Sequence, residues 1–246
     1  MKENVHFIDC GANVGMAIDW AVKKYSRPDS PRKLARVDAF EPEIKNYLIL
    51  LAKYSLDRMK IEGLHIHSEA AWKKNEIKKF FVQFWGTRTG SSLMEDKEQC
   101  IKKGQIIPSE YLGNGLTHTY NHPDAHCYID KDGNTRSRAD MTYKYDGAGA
   151  HAQCIDIAEW IFKNVSKENY NVLKIDIEGA EYPVIDHLLK TGAHEYIDEW
   201  LVEFTGRKKT PDSYDQAVID RFMATNPNYV DWDSKEMIER WHNGTL

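Results

Sequence analysis

The chain has 246 residues, with 33 basic and 38 acidic side chains and a formal net charge of -5. Hydrophobic residues make up 41% and charged residues 29% of the sequence, which excludes intrinsically disordered and low-complexity proteins. The acidic balance argues against a protein whose main task is to bind nucleic-acid phosphates. No apolar run approaches the roughly 18 residues of a membrane-spanning helix, and the N-terminus lacks a signal-peptide pattern. Composition therefore predicts a cytoplasmic protein with no membrane partner.

Short β-rich runs alternate with stretches of helical spacing along the chain. Strands are predicted at residues 5–10, 34–40, 64–68, 172–177 and 200–204. Four apolar stripes follow the i, i+3, i+4, i+7 rule of an amphipathic helix. They are Val14, Ile18, Ala21, Val22 and Tyr25; Ile44, Tyr47, Leu48 and Leu51; Ala180, Val184, Ile185, Leu188 and Leu189; and Tyr214, Ala217, Val218, Arg221 and Phe222. This alternation predicts an α/β fold with a mainly parallel central sheet and helices on both faces.

The middle of the chain, residues 80–149, interrupts this alternation. It begins with an apolar run at 80–85 and then turns polar, glycine-rich and irregular, part hairpin and part loop. A connection this long usually serves as a lid, a binding loop or a small subdomain. We predict a single domain over residues 1–246, with 86–150 as an insertion or lid within it. After Asn226 we predict a short strand at 229–232 and a helical stretch carrying Met237, Ile238 and Trp241.

A glycine-rich turn lies between the first predicted strand and the first helix. Asp9, Gly11, Asn13 and Gly15 form the pattern D-x-G-x-N-x-G. Such a turn brings backbone N–H groups and a helix N-terminus close to a ligand. The pattern differs from the G-x-G-x-x-G of nicotinamide and flavin binders, and its acidic residue suits an ammonium group. It therefore favours S-adenosylmethionine, which carries an ammonium and no phosphate; an ordinary strand-to-helix turn is the alternative.

Two further strand ends carry acidic residues. The second strand runs into Glu41 and Pro42, and an acidic residue at this place in a Rossmann-like sheet accepts hydrogen bonds from ribose hydroxyls. The fourth runs into Asp176, Glu178 and Glu181, where ligands of open α/β sheets bind and where close carboxylates are expected to have raised pKa values. The alternative for either segment is a solvated carboxylate at a helix start, which suits Glu181 better than Asp176.

Together these segments resemble the FkbM-type family of S-adenosylmethionine-dependent methyltransferases. The resemblance covers residues 5–205. It rests on Asp9-Cys-Gly-Ala-Asn-Val-Gly15, on Phe40-Glu41-Pro42, and on Lys174-Ile-Asp-Ile-Glu-Gly-Ala-Glu181, which matches the family signature K-I/V-D-I/V-E-G-A-E. Lesser matches are Ala70-Ala71, Gly90-Ser-Ser-Leu93, Cys154-Ile-Asp156 and Leu201-Val-Glu203. It implies a Rossmann-like class I methyltransferase fold with an irregular insertion, although the tail after Phe204 does not clearly supply the strand pair that usually closes such a sheet.

The resemblance also implies a set of site residues. Cofactor contacts are expected from Asp9, Gly11, Ala12, Asn13, Gly15, Glu41, Pro42, Glu69, Ala70, Ala71 and Asp176. Residues 69–71 would lie beside the adenine, and Asp176 and Glu178 near the methyl group. Because a hydroxyl is a poor nucleophile, a general base should help, and Asp176 is the first candidate and Glu178 the second. Substrate contacts are expected from Ser91, Ser92, His118 and His122 in the insertion.

The histidines of the insertion raise the question of a metal. His118, His122 and His126 are spaced by four and precede Cys127, and such sets bind zinc. Pro123 disfavours a helix through this stretch, so we predict no metal site. Loop histidines that contact substrate and surface histidines without a role are the alternatives.

The sequence as a whole predicts an S-adenosylmethionine-dependent O-methyltransferase acting on a hydroxyl of a sugar or glycan, with another small-molecule hydroxyl as the near variant. Methylation of nucleic-acid bases is disfavoured because the chain is acidic and its fourth strand does not end in the Pro-Pro-aromatic run of base methylases. A nicotinamide-dependent oxidoreductase and a non-catalytic Rossmann-like binding module are the alternatives. The oligomeric state is not predicted.

Overall fold

The computed structural model of the protein describes residues 2–55, 63–80, 93, 127–129, 135–137, 151–204, 213–226 and 228–232. Its strands are β1 (Asn4–Cys10), β2 (Lys33–Phe40), β3 (Leu64–His67), β4 (Ala70–Trp72), β5 (Glu76–Lys79), β6 (Cys127–Ile129), β7 (Thr135–Ser137), β8 (His151–Asp156), β9 (Tyr170–Ile175), β10 (Glu199–Val202) and β11 (Tyr229–Asp231). Its α-helices are α1 (Met16–Tyr25), α2 (Ile44–Ser55), α3 (Ile157–Asn164), α4 (Glu181–Thr191) and α5 (Ser213–Thr225). A 3₁₀ helix covers Ala193–Tyr196. In the ranges described, no helix is both long and apolar enough to cross a membrane.

A six-stranded sheet forms the centre of the fold. Its strand order is β11-β10-β9-β1-β2-β3, and every neighbouring pair is parallel. The sheet confirms the predicted α/β class and the Rossmann-like fold. β11 joins the sheet beside β10, with Trp200 opposite Tyr229, so the strand predicted at 229–232 is confirmed except for its last residue. The helical stretch predicted around Met237 lies outside the described residues.

Helices cover both faces of this sheet. On one face, Phe7 of β1 packs against Trp20 of α1, with ring centroids 6.1 Å apart. On the other face, Phe40 of β2 packs against Trp160 of α3 at 5.1 Å. Alternate residues of a strand point to opposite faces, and a strand covered on both sides therefore reads as a nearly continuous apolar run. β9 shows this pattern, because five of its six residues are buried.

The apolar face predicted for α2 is wrong. The predicted stripe is largely in solvent: Ile44 is 58%, Leu48 53% and Leu51 37% exposed. The buried residues of the helix are instead Asn46, Leu50 and Tyr54. The Tyr54 hydroxyl donates to the carbonyl of Gly15 at 2.9 Å, which turns this partly polar face toward the glycine-rich turn.

The predicted face of α5 is confirmed only in part. Val218 and Phe222 are fully buried, whereas Ala217 and Arg221 are exposed. Arg221 instead pairs with Asp186 of α4, with its Nη2 2.6 Å from Oδ1. The long stem of an arginine can lie at the edge of an apolar face while its charge stays in water.

Three strands outside the central sheet were not predicted. β4, β8 and β5 form a second sheet in that order, and β4 and β8 pair in parallel. β6 and β7 form an antiparallel pair, in agreement with a hairpin in the middle of the chain. The chain forms two compact units, Met1–Ile77 together with Ala152–Leu246, and Lys78–His151. Most of the predicted insertion at 86–150 lies outside the described residues, and its role as a lid stays a prediction.

Candidate functional site

Three loops meet at the carboxyl edge of the central sheet. β1 lies between β9 and β2 in the sheet. Loop 11–15 follows β1, loop 41–43 follows β2 and loop 176–180 follows β9. Carboxyl ends of parallel strands are the usual ligand site of open α/β sheets. The structure therefore brings the three predicted motifs together.

The glycine-rich loop is tied to its neighbours through the main chain. The amides of Gly11 and Ala12 both donate to the carbonyl of Phe40, at 3.1 and 3.0 Å. Gly11 has a φ of +89°, and a Cβ at this position would overlap the carbonyl oxygen of Asp176. Asn13 also has a positive φ, of 50°, and its side-chain oxygen accepts from the amide of Val14 at 2.8 Å. The loop is thus held in one conformation by contacts with both neighbouring strands.

Glu41 connects the glycine-rich loop to the loop after β2. Its Oε2 accepts from the amide of Asn13 and its Oε1 from the amide of Glu43, both at 2.7 Å. The residue is only 5% exposed, and burial raises the pKa of its carboxyl to about 7. Each carboxylate oxygen can accept more than one hydrogen bond, so these contacts leave acceptor capacity. Binding of a ribose by Glu41 stays a prediction.

Lys174 contacts both the glycine-rich loop, residues 11–15, and the acidic loop, residues 176–180. Its Nζ donates to the carbonyl of Gly11 at 2.7 Å and lies 3.2 Å from Asp9 Oδ1 and 3.3 Å from Asp176 Oδ2. Lys174 and Asp9 are 3% and 0% exposed. Burial disfavours the charged lysine, but the carboxylates of Asp176 and Asp9 outweigh it and leave the pKa of Lys174 raised. A buried ammonium thus lies directly beneath the site.

Asp9 faces this lysine. Burial raises the pKa of its carboxyl, against the opposing effect of Lys174. The ion pair is poorly directed: among the described residues, neither Asp9 oxygen has a hydrogen-bond partner of good geometry. Contact of Asp9 with a cofactor ammonium stays a prediction.

The buried side chain of Glu181 accepts hydrogen bonds from the main chain of the acidic loop. Its Oε1 accepts from the amide of Ile177 and its Oε2 from that of Gly179, both at 2.8 Å. Burial is the largest cause that raises the pKa of Glu181 to about 8, and the nearby carboxylate of Asp176 acts in the same direction. The alternative of a solvated helix-start carboxylate is wrong for Glu181, because the residue is 0% exposed.

Asp176 and Glu178 are the partly exposed carboxylates of the same loop. The side chain of Asp176 is 21% exposed, and its amide donates to the carbonyl of Cys10 at 3.1 Å. Asp176 follows the end of β9, one residue beyond the strand, rather than ending it. Glu178 has a φ of +57°, a conformation that is uncommon outside glycine and often marks functional loops. These two side chains are therefore partly accessible from solvent.

The remaining predicted residues have different positions. Ala12 is buried in the glycine-rich loop, and Pro42 and Glu69 are partly exposed. Ala70 and Ala71 are buried in β4, which belongs to the second sheet. Ser91, Ser92, His118 and His122 lie outside the described residues, as does His126. The part of the chain that the structure describes contains no group of three or more His, Cys, Asp or Glu residues that could hold a metal ion.

Sequence reasoning did not single out Lys174. A charged residue between Leu173 and Ile175, in a strand buried on both faces, is the signal that would have found it. Lys, Glu, Arg and Asp are almost never fully buried without a partner, so this position requires nearby carboxylates.

A buried cluster around Asp38 was also missed. Its Oδ2 accepts from Nε2 of His6 at 2.7 Å and from Nε of Arg36 at 2.6 Å, and its Oδ1 accepts from Nε2 of His67 at 2.8 Å. An ionised carboxylate only accepts, so both imidazoles present an N–H to it. Burial opposes ionisation of Asp38, but the hydrogen bonds from His6, His67 and Arg36 outweigh it and lower its pKa. The cluster joins β1, β2 and β3 beneath the loops.

Comparison with models of known protein families identifies the family of this chain. A model of the FkbM methyltransferase domain matches residues 9–230. The chain belongs to the FkbM methyltransferase family. The match begins at the last two residues of β1 and ends within β11, so it spans all three loops and the other four strands of the central sheet. Comparisons with curated proteins and with solved structures gave no match.

Proposed function

We propose that this FkbM family member is an S-adenosylmethionine-dependent O-methyltransferase. The observation that carries the proposal is the packing of the glycine-rich loop against the acidic loop, within the segment matched by the family. Gly11 lies against the main chain of Asp176, and Lys174 contacts both loops. A nicotinamide-dependent oxidoreductase would need the G-x-G-x-x-G turn that this loop lacks.

The residues at this edge suit the charge of the proposed cofactor. S-adenosylmethionine is cationic at its ammonium and its sulfonium, and Asp176 and Glu178 are partly exposed carboxylates. Glu41 lies at the end of β2, where acidic residues of Rossmann-like sheets hold a ribose. When bound, the cofactor supplies the methyl group for an in-line displacement.

The protein's own contribution is to position the acceptor and take its proton. Holding the reacting atoms about 3–3.5 Å apart lowers the barrier by several kcal/mol. We assign the proton of the acceptor hydroxyl to the carboxylate of Asp176, with Glu178 as the second candidate. A general base of this kind contributes about 10²–10⁴-fold to the rate.

The proposed acceptor is a hydroxyl of a sugar or glycan, or of another small hydroxylated metabolite. Carboxylates accept hydrogen bonds from hydroxyls, as Asp176 and Glu178 would from such an acceptor. The net charge of -5 disfavours a nucleic-acid substrate.

The test is transfer of a labelled methyl group from S-adenosylmethionine. The purified protein is incubated with panels of sugars, oligosaccharides and small hydroxylated metabolites, with DNA and RNA as comparison acceptors. We expect label in a hydroxylated acceptor, and none with an Asp176→Asn/Glu178→Gln double variant purified in the same way. Label in nucleic acid would contradict the proposed acceptor class. Cofactor binding without transfer to any acceptor would favour a non-catalytic binding module.

A further inference from the structure

The ammonium of Lys174 lies close to three oxygen atoms, one from β1 and one from each of two different loops. Lys174 is the register partner of Asp9 in the neighbouring strand, so both side chains leave the same face of the sheet. Asp176 lies two residues further along, just beyond β9, and its Oδ2 is 3.3 Å from Nζ. The third oxygen is the carbonyl of Gly11, at 2.7 Å from Nζ.

We propose that Lys174 is a positioning residue that holds the glycine-rich loop and the Asp176 carboxylate in one fixed arrangement. The inference rests on the proposed function, because it assigns Lys174 an effect on cofactor binding. Lys174 is 3% exposed, so it acts through Gly11 and Asp176 rather than on a ligand itself.

Electrostatics explains why one lysine can do this. A buried ammonium is stable only with good partners, and removing one member of a buried ion pair leaves an uncompensated charge. Here one ammonium faces two carboxylates, that of Asp9, which is fully buried, and that of Asp176, whose side chain is 21% exposed, so its loss makes the group more negative by one charge. Without Lys174, the carbonyl of Gly11 would lose a charge-assisted hydrogen bond and Asp176 would carry an unbalanced negative charge.

This charge balance gives the proposal a specific signature. S-adenosylmethionine carries a positive sulfonium, whereas S-adenosylhomocysteine is neutral at sulfur. Beside the site, an unbalanced Asp176 would attract the sulfonium more strongly and leave the neutral sulfur unaffected. Loss of Lys174 should therefore shift the relative affinity of the two ligands, which a purely structural role would not do.

The experiment measures both dissociation constants by calorimetry for wild type, Lys174→Met, Lys174→Arg and Ile161→Ala. Ile161 is a fully buried residue of α3, and its truncation is a control for lost stability alone. We expect Lys174→Met to weaken S-adenosylhomocysteine binding by about tenfold or more, as loss of a charge-assisted hydrogen bond does. Relative affinity should shift toward S-adenosylmethionine by about threefold or more. Lys174→Arg should keep the wild-type ratio, and Ile161→Ala should keep both constants.

If Lys174→Met does not fold, the Asp9→Asn/Lys174→Met double variant takes its place, because it leaves no fully buried charge unpaired and keeps only the partly exposed Asp176 carboxylate. The same shift in ratio is expected from it. Wild-type constants in a folded variant without Lys174 would overturn this inference alone. The inference would also be overturned if Lys174→Met and Ile161→Ala weakened binding of both ligands to the same extent and neither variant changed the ratio of the two affinities. A wild-type protein that binds neither ligand would instead overturn the proposed function, and the inference with it.

Discussion

Gly11 lies directly against the carbonyl oxygen of Asp176, so the two loops of the candidate site pack backbone to backbone. Its φ of +89° and the overlap that a Cβ would make with this oxygen both require glycine. The contact joins the end of β1 to the end of β9. Any displacement of one loop therefore reaches the other.

The first prediction separates this contact from backbone strain. Gly192, at the end of α4, also has a positive φ, of 81°, but a Cβ there would come only within 4.0 Å of Glu195 Oε1. Gly192→Ala should therefore lower the free energy of unfolding by about 1–2 kcal/mol, the cost of placing an alanine in the left-handed conformation. Gly11→Ala should lower the free energy of unfolding further, because its Cβ would also overlap the carbonyl oxygen of Asp176. It should also abolish binding of S-adenosylhomocysteine. Urea denaturation and calorimetry measure the two effects.

Equal losses of stability in the two variants would show that the contact between Gly11 and Asp176 adds nothing to the strain. Retained binding in Gly11→Ala would place the cofactor elsewhere. Gly192→Ala should bind the ligand as wild type does.

The second prediction concerns the buried cluster of Asp38. Asp38→Asn removes the carboxylate that accepts from His6, Arg36 and His67, and should destabilise the protein by about 3–5 kcal/mol at pH 7. Asp29→Asn is the matched control, because Asp29 forms an exposed pair with Arg27 and should contribute at most about 1 kcal/mol. Urea denaturation of both variants checks the difference.

The pH dependence of the same cluster has a defined sign. The pKa of Asp38 is lowered in the folded protein, so its contribution is present above its unfolded pKa of 3.8 and is lost as the pH falls through its folded pKa. Wild type should lose stability in acid more steeply than Asp38→Asn. Parallel acid-denaturation curves for the two proteins would refute this role for Asp38.

The third prediction concerns Glu181, whose pKa is raised from 4.5 to about 8. Between these values the unfolded chain has released a proton that the folded protein retains. The contribution of Glu181 is therefore fully present below pH 4.5 and is lost as the pH rises to about 8, by at most about 1.4 kcal/mol per pH unit. Glu41, with a pKa of about 7, adds to the same decline up to that pH.

Glu181→Gln should flatten this decline, most clearly between pH 7 and 8, where Glu41 no longer contributes. Urea denaturation at several pH values from 5 to 8 measures the slope. The matched control is Glu195→Gln, at an exposed position, which should keep the wild-type slope. An unchanged slope in Glu181→Gln would mean that this carboxyl is not the group that titrates.

The fourth prediction assigns the general base. Asp176→Asn should lower turnover by about 10²–10⁴-fold on an acceptor found in the labelling panel, while S-adenosylhomocysteine affinity stays close to wild type. Glu178→Gln should have a smaller effect on turnover. Full activity in Asp176→Asn would remove this residue from the mechanism, and a larger loss in Glu178→Gln would exchange the two roles.

The parallel sheet and the three loops could be predicted from the sequence because each signal is local. β1 is a short apolar run followed at once by Gly11, and β9 is one followed at once by Asp176, and such patterns need no knowledge of distant contacts. The meeting of the loops also follows, since carboxyl ends of parallel strands share one edge. These parts of the site were therefore accessible from local pattern alone.

The packing of α2 could not be predicted in this way. Apolar periodicity points to Ile44 and Leu48, yet the helix buries Asn46 and Tyr54. The hydroxyl of Tyr54 has partners inside the fold, because it contacts the carbonyl of Gly15 and the carboxylate of Asp19, both at 2.9 Å. A periodicity rule that counts only apolar residues cannot detect a helix face held by polar contacts.

The partners of the buried charges could not be predicted from the sequence either. Lys174 and Asp9 are far apart in the sequence and become neighbours only through the register of β1 and β9. The sequence shows a charge inside an apolar strand, but the register decides which carboxylate meets it. The same holds for His6, Asp38 and His67 on three successive strands of the sheet.

Calorimetric titration with S-adenosylhomocysteine, with NAD as the comparison ligand, tests the central claim most directly. The proposed site predicts micromolar binding of S-adenosylhomocysteine and no binding of NAD. Asp9→Ala and Glu41→Ala should weaken that binding, since both residues lie at the loops that would hold the cofactor. Binding of NAD alone, or of neither ligand, would contradict the assignment of this sheet edge as an S-adenosylmethionine site.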